Sequence, residues 1–153
     1  FAVTASAAYT DSTLDEDDTS AFGAVAGEKM PGVPEITWAL RGDYTLPLAN
    51  DGKVTFGAGM RYVGDRTAGF HGGTGANGAT ITPRIYNFVI DSTVVADLYV
   101  AYKRGPFGIS LYGTNVFDEY GYSGGSARPG PIVRATTNVI QPQTIGATIT
   151  WGF

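Results

Sequence analysis

Residues 143–153 read QTIGATITWGF. Taken two at a time from Ile145, they give Ile145, Ala147, Ile149, Trp151 and Phe153 on one side. Thr144, Gly146, Thr148, Thr150 and Gly152 fall on the other. Successive side chains of a β-strand point to opposite faces, so this alternation marks a strand with one greasy face and one small, polar face. The question is which solvent accepts the greasy face.

Five more segments repeat the pattern. FAVTASAAYT (1–10) places Phe1, Val3, Ala5, Ala7 and Tyr9 together. EITWALRGDYTLPL (35–48) aligns Ile36, Trp38, Leu40, Gly42, Tyr44, Leu46 and Leu48. VTFGAGMRYVG (54–64), STVVADLYVAYK (92–103) and FGISLYGTNVF (107–117) do the same from Val54, Val94 and Phe107. No charge falls on any of the six apolar faces. The opposite faces carry Thr, Ser, Gly and Ala with a few charges: Arg41, Asp43, Arg61, Asp97 and Lys103. A soluble sandwich usually spreads Lys and Glu over its outer face; a small, sparsely charged polar face suits the wall of a wide wet lumen. A soluble sandwich with one buried face is the plainer alternative.

The connections alternate between long and short. Residues 11–34 and 66–91 form long loops, as do residues 118–142. LANDGK (48–53) is a tight turn with an Asp-Gly hairpin signal, and RGP (104–106) is a second tight turn. Short turns on one side and long loops on the other are the pattern of outer-membrane barrels. About ten residues per strand at ~3.4 Å rise and a tilt of ~40° span roughly the 25 Å apolar band of such barrels. Tyr44, Tyr102, Phe107, Trp151 and Phe153 lie towards the short turns, and Tyr9, Trp38 and Tyr62 towards the long loops, as interfacial girdles would.

Composition narrows the function classes. The 153 residues suffice for one domain. A net charge of −4 argues against a general nucleic-acid binder. The absence of cysteine removes disulfides and thiolate metal sites. Charged residues are 16% of the chain, against about 25% in ordinary soluble domains. No run approaches the ~18 apolar residues of a membrane helix. No basic-then-apolar leader is present and Phe1 starts inside a patterned segment, so the chain reads as cut at its N-terminus.

The words of the sequence then resemble a known family. MPGVPEITWALRGDYTLPL (30–48), GAGMRYVGDR (57–66), STVVADLYVAYKRGPFGISLYGTNVFDEYGY (92–122) and VIQPQTIGATITWGF (139–153) together resemble the C-terminal end of a TonB-dependent outer-membrane receptor, in that family's order and over nearly the whole chain. NVFDEY (115–120) is similar to the family's Asn-Leu-Phe-Asp element, with Val116 in place of Leu. The resemblance implies an antiparallel transmembrane β-barrel of 22 strands with an N-terminal plug, of which this chain supplies the last six. It also implies a location in the bacterial outer membrane and uptake of a scarce nutrient, a ferric siderophore or similar, energised through TonB. The implied partners are the lipid bilayer and lipopolysaccharide, the remaining strands and plug, the TonB complex through the missing N-terminal region, the barrel-assembly machinery, and an extracellular small-molecule ligand. Trp151 and Phe153 become the terminal assembly signal. Six strands are too few to close, since single-chain barrels begin at 8. The chain is therefore either part of a longer one or a subunit of an assembly, and a plug-less channel built by oligomerisation is the alternative function.

Catalysis finds little support, and neither a cofactor nor a metal is expected. His71 is the one histidine and sits in a Gly-rich stretch, FHGGTG, that reads as a mobile loop tip. GGTGANG lacks the Lys-Ser/Thr of a phosphate-binding loop. The acidic run with Asp11, Asp15, Glu16, Asp17 and Asp18 lacks the spacing of a calcium loop and reads as solvated. Ligand contact from the loops is assigned to His71, Arg84, Tyr86, Arg128 and Arg134, which with Phe70, Asn87, Phe88 and Tyr122 mix cations and aromatics. Arg41, Asp43, Arg61 and Asp97 are expected to face the lumen and pair between strands.

Overall fold

The computed structural model describes residues 1–19, 22–84, 87–128 and 134–152. Its elements are all strands: β1 (Ala2–Tyr9), β2 (Ile36–Pro47), β3 (Gly52–Val63), β4 (Arg66–Thr67), β5 (Gly73–Thr74), β6 (Thr80–Ile81), β7 (Val89–Ile90), β8 (Thr93–Arg104), β9 (Phe107–Thr114), β10 (Tyr122–Arg128), β11 (Arg134–Val139) and β12 (Thr144–Trp151). The six long period-two segments form one antiparallel sheet in the order β1-β2-β3-β8-β9-β12. Strands β1 and β12 do not pair with each other, so both outer edges of the sheet are open.

The register carries one class of side chain across the whole sheet. Val3, Gly42, Ala58, Leu98, Gly113 and Ile145 are successive Cα partners on one row. The row below runs Tyr44, Phe56, Val100, Leu111, Ala147, and the next Leu46, Val54, Tyr102, Ile109, Ile149. Because the side-chain period is two, a slip of one residue in any pair would send that strand's apolar set to the other face. Trp38 stacks on its partner Tyr62 at 5.8 Å, and Phe107 meets its partner Trp151 edge-on at 5.9 Å. These cross-strand aromatic pairs pin the register near opposite ends of the sheet.

Two tight turns hold the meander. In the first, Leu48 donates to the Gly52 carbonyl at 2.7 Å and the left-handed positions are Asn50 and Asp51, with φ of 60° and 58°. The Asp-Gly signal thus misplaces the turn by one residue: Gly52 is already in β3, where it lies under the Tyr102 ring. In the second, Gly105 takes φ 55° ahead of Pro106, the pattern of a II′ turn.

The long loops are more structured than their composition suggests. The segment expected to be a mobile tip forms the β5–β6 hairpin, and β4 pairs with β7 below it. The third long loop contains the β10–β11 hairpin with a register shift between Tyr122 and Gly124. Among the described residues the buried apolar side chains also gather here: Ala24, Ala68, Phe70, Ile81, Ile90 and Ala127, with Val95 and Ala96 contributed by the large sheet.

The sheet itself buries almost nothing. Leu98, Leu111, Ile149 and Ile145 are 50, 53, 69 and 82% exposed. The accessible surface is 10189 Å², against about 7,400 Å² for a compact soluble chain of 16.0 kDa. On the polar face, large side chains lean over glycines. Tyr99 lies across Gly57, where a Cβ would fall inside its ring, and reaches Asp43 Oδ1 at 2.5 Å on the strand beyond. Tyr112 lies across Gly146 in the same way. We expect Gly57→Val to lower stability by about 1–3 kcal/mol, because its side chain would displace the Tyr99 ring and break the bond to Asp43. Urea unfolding in detergent micelles checks this; an unchanged midpoint would mean that Tyr99 is free to move aside.

Candidate functional site

The polar face carries Arg41, Asp43 and Asp97 near mid-strand, Arg61 nearer the long loops, and Lys53 opposite Lys103 at the short-turn end. Register places Arg41, Gly59 and Asp97 on one row and Asp43, Gly57, Tyr99 and Tyr112 on the next. Arg41 Nε donates to Asp43 Oδ2 at 3.1 Å along the same strand, and its guanidinium lies 5.8 Å from the Tyr99 ring centre. Arg61 Nη1 approaches Asp97 Oδ2 at 3.5 Å from β3 to β8. All four residues assigned to the lumen therefore share one face. One of the two pairs is inter-strand; the other joins residues two apart on β2.

Asp97 also anchors the end of β9. Its Oδ1 accepts the Asn115 amide at 3.0 Å. Asn115 is 1% exposed and adopts φ 51°, a left-handed conformation that Asn tolerates better than most residues. Its side-chain amide donates to the carbonyls of Glu119 and Gln141, and its Oδ1 accepts the Glu119 amide. NVFDEY is thus a hydrogen-bonded knot that ties the end of β9 to β8 and to the entry of β12. It leaves Phe117 and Tyr120 each 74% exposed.

Above the sheet, two carboxylates stitch the first loop to the second. Asp17 accepts the amides of Ala26 in its own loop and Ala76 in the other, at 2.9 and 2.5 Å. Glu28 accepts Val25 and His71 amides in the same fashion, at 2.9 and 2.6 Å. Phe22 packs near Phe70, and Gly32 donates to Thr67. The loops therefore form one cap. Asp17, expected to be solvated, is an acceptor for backbone groups, and among the described residues no group of three or more potential metal ligands forms.

The assigned loop residues are dispersed over this framework. His71 contacts Asn87 and lies 3.7 Å from Glu28 Oε1. Arg84 donates its amide to Phe22. Arg128 and Arg134 are directly opposed in the β10–β11 register. Tyr86 and Phe153 lie outside the described residues. Among the described residues, no hydrogen bond or ion pair joins His71, Arg84 and Arg134.

The residue that sequence reading passed over is Arg66. It is 8% exposed and donates from Nη1 to the Gly64 carbonyl at 3.2 Å. From Nη2 it donates to Tyr122 and Ser123 carbonyls at 3.2 and 2.8 Å. It fastens the third-loop hairpin to the top of the sheet across more than fifty residues of chain, so no local pattern marks it. Beside it a cavity of about 480 Å³ opens between the hairpin and the polar face, with Arg61, Arg66, Thr93, Ser123 and Gln141 in its wall. A groove of about 840 Å³ crosses the apolar face where Gly42, Ala58 and Gly113 leave room between Tyr44, Leu98 and Ile145. Compared with protein-family models, with curated proteins and with solved structures, the chain matches none.

The backbone amides held by Asp17 keep its carboxyl below the ordinary value of 3.8. Its hold on Ala26 and Ala76 is full above that value and is lost as pH falls beneath it. We expect the Ala26 and Ala76 amide resonances to stay fixed from neutral pH down to about 3.8 and to shift only below it. Asp17→Ala should show the acid-form positions already at neutral pH. NMR titration in micelles reads both; amides that begin to move well above the ordinary carboxyl value would contradict the clasp.

Proposed function

We propose that this chain is the C-terminal segment of a transmembrane β-barrel of the TonB-dependent receptor type. It would take part in the uptake of a scarce nutrient, a ferric siderophore or similar, across the bacterial outer membrane. The observation that carries the reading is the pair of faces on a single open sheet. One face is apolar across the six strands and carries Leu98, Leu111, Ile149 and Ile145 at 50, 53, 69 and 82% exposure; the other is polar and carries Arg41, Asp43, Arg61 and Asp97. Water would penalise the apolar face far beyond the few hundred Å² that monomers usually expose, and lipid would not. Strands of eight to twelve residues suit a tilted crossing of the hydrocarbon layer. The groove at Gly42, Ala58 and Gly113, walled by aliphatic and aromatic groups, suits acyl chains.

Open edges decide what the chain needs beside it. Each unpaired backbone group facing hydrocarbon costs several kcal/mol, so the free sides of β1 and β12 call for further strands. In the receptor reading those strands belong to the same barrel, which also encloses a plug against the polar face and works with TonB. The barrel-assembly machinery would read Trp151 and Phe153, and the long-loop side would meet lipopolysaccharide and ligand. The same two open edges would allow copies of the chain to close a plug-less channel. Conductance from the chain alone in planar bilayers, with heat-sensitive oligomers on gels, would favour that second reading over the first.

Two measurements test the membrane reading. Ile149→Lys should cost about 2–4 kcal/mol at mid-bilayer, and Thr148→Lys, one residue away on the other face, about 1 kcal/mol or less. Equal costs, measured by unfolding in lipid vesicles, would reverse or abolish the assignment of faces. Deletion of Phe153 should lower the amount of protein assembled in the outer membrane while synthesis is unchanged. Quantitative fractionation giving equal membrane yields would remove the assembly role.

A further inference from the structure

We infer that the cavity under the third-loop hairpin is a binding site for a small-molecule oxyanion, a carboxylate or a phosphate, with Arg66 and Arg61 as its cationic wall. The inference rests on the reading above to the extent that the polar face is taken to line a wet lumen.

The cavity has the size of a small-ligand site, about 480 Å³ within the usual range of about 300–1,000 Å³. Its charge is what selects the ligand. Arg66 is nine-tenths buried, and its three hydrogen bonds all go to backbone carbonyls. Carbonyls satisfy donors without cancelling a charge. Buried charged side chains are ordinarily paired with an opposite charge, yet among the described residues no carboxylate lies within 4.0 Å of this guanidinium.

Arg61 is only loosely engaged. Its 3.5 Å approach to Asp97 exceeds the ~2.7–2.9 Å of a charge-assisted bond, and the other oxygen of Asp97 is taken by the Asn115 amide. Asp97 is thus a divided partner for Arg61, and among the described residues no acidic side chain lines the cavity. Asp65 and Glu35 border Arg66 on its other side, in the wall of a neighbouring cavity, and neither forms an ion pair with it; on the hairpin side no Asp or Glu follows Glu119 in the chain. Among the described residues the wall of this cavity therefore carries two cationic side chains and no anionic one.

The remaining wall fixes the ligand's other end. Val63, Val95, Val139 and Ile140 supply aliphatic surface, while Ser123 and Gln141 supply polar groups beside it. This combination fits an anionic head on a short carbon skeleton.

The test uses the intact outer-membrane protein that carries this chain, in detergent micelles at low salt. Succinate and inorganic phosphate are titrated separately by calorimetry. Saturable binding of either is expected; the tighter of the two identifies the head group. Arg61→Gln should weaken it at least tenfold while leaving heat-modifiable gel mobility unchanged. Lys103→Gln, on the same face at the short-turn end, should leave it unaltered. Arg66→Lys keeps the charge but loses the three-carbonyl geometry, and is expected to weaken binding or to loosen the hairpin, which proteolysis of the third loop would report.

No saturable binding of either anion, unchanged affinity in Arg61→Gln, or an equal loss in Lys103→Gln would overturn the site. Outer-membrane fractionation is scored independently. Protein that inserts but binds no anion overturns the site alone, whereas protein that binds the anion yet never enters the membrane overturns the lumen reading and leaves the site standing.

Discussion

Everything in this structure depends on the register of one antiparallel sheet. Backbone pairing from β1 through β12 lines up the apolar side chains in rows across the strands, and the alternation of the strand sends Arg41, Asp43, Arg61 and Asp97 to the other side. The two faces are therefore not independent. Whatever solvent accepts Leu98 and Ile149 dictates that Arg41, Asp43, Arg61 and Asp97 face away from it. Among the described residues no second layer covers the apolar face, so what the chain itself supplies to the sheet is ladder hydrogen bonds and cross-strand pairs.

Within that frame the polar face is built by size as much as by charge. Gly57 and Gly146 make room for the rings of Tyr99 and Tyr112, and the Tyr99 hydroxyl then ties β8 to Asp43 on β2 across the strand between them. A ring laid over a glycine covers backbone that the glycine leaves bare. The loops solve a different problem. They hold most of the buried apolar side chains and stitch themselves with carboxylates on backbone amides, so the polar chain of the cap is satisfied without a regular sheet. Lys29 and Glu35 close the base of the first loop by an ion pair that also raises the lysine above its ordinary value.

The strands were legible because a period of two over eight to twelve residues is a strong signal and no helical period competes with it. The loop hairpins were not. Strands β4 to β7 have two residues each, too few to show any period, and form because the cap's apolar residues bring them together. The β10–β11 hairpin hides behind serines and glycines, and its bulge at Ser123 breaks the alternation that would have exposed it. The first turn shows the same limit on a smaller scale: Asn and Asp also reach the left-handed region, and here they did so in place of the glycine.

The sequence by itself determined the six strands, their two faces and the alternation of tight turns with long loops, because these follow from side-chain order along a backbone of fixed geometry. It also placed Arg41, Asp43, Arg61 and Asp97 on one face, since facing is a local property of a strand. Only the tertiary structure decided that Asp17 and Glu28 clasp a second loop, that Asn115 knots the end of β9, and that Arg66 lies buried without a carboxylate beside the hairpin. Those contacts join residues from distant parts of the chain, and their partners are largely backbone amides and carbonyls. Every residue carries such groups, so no pattern of side chains announces where a contact to them will form.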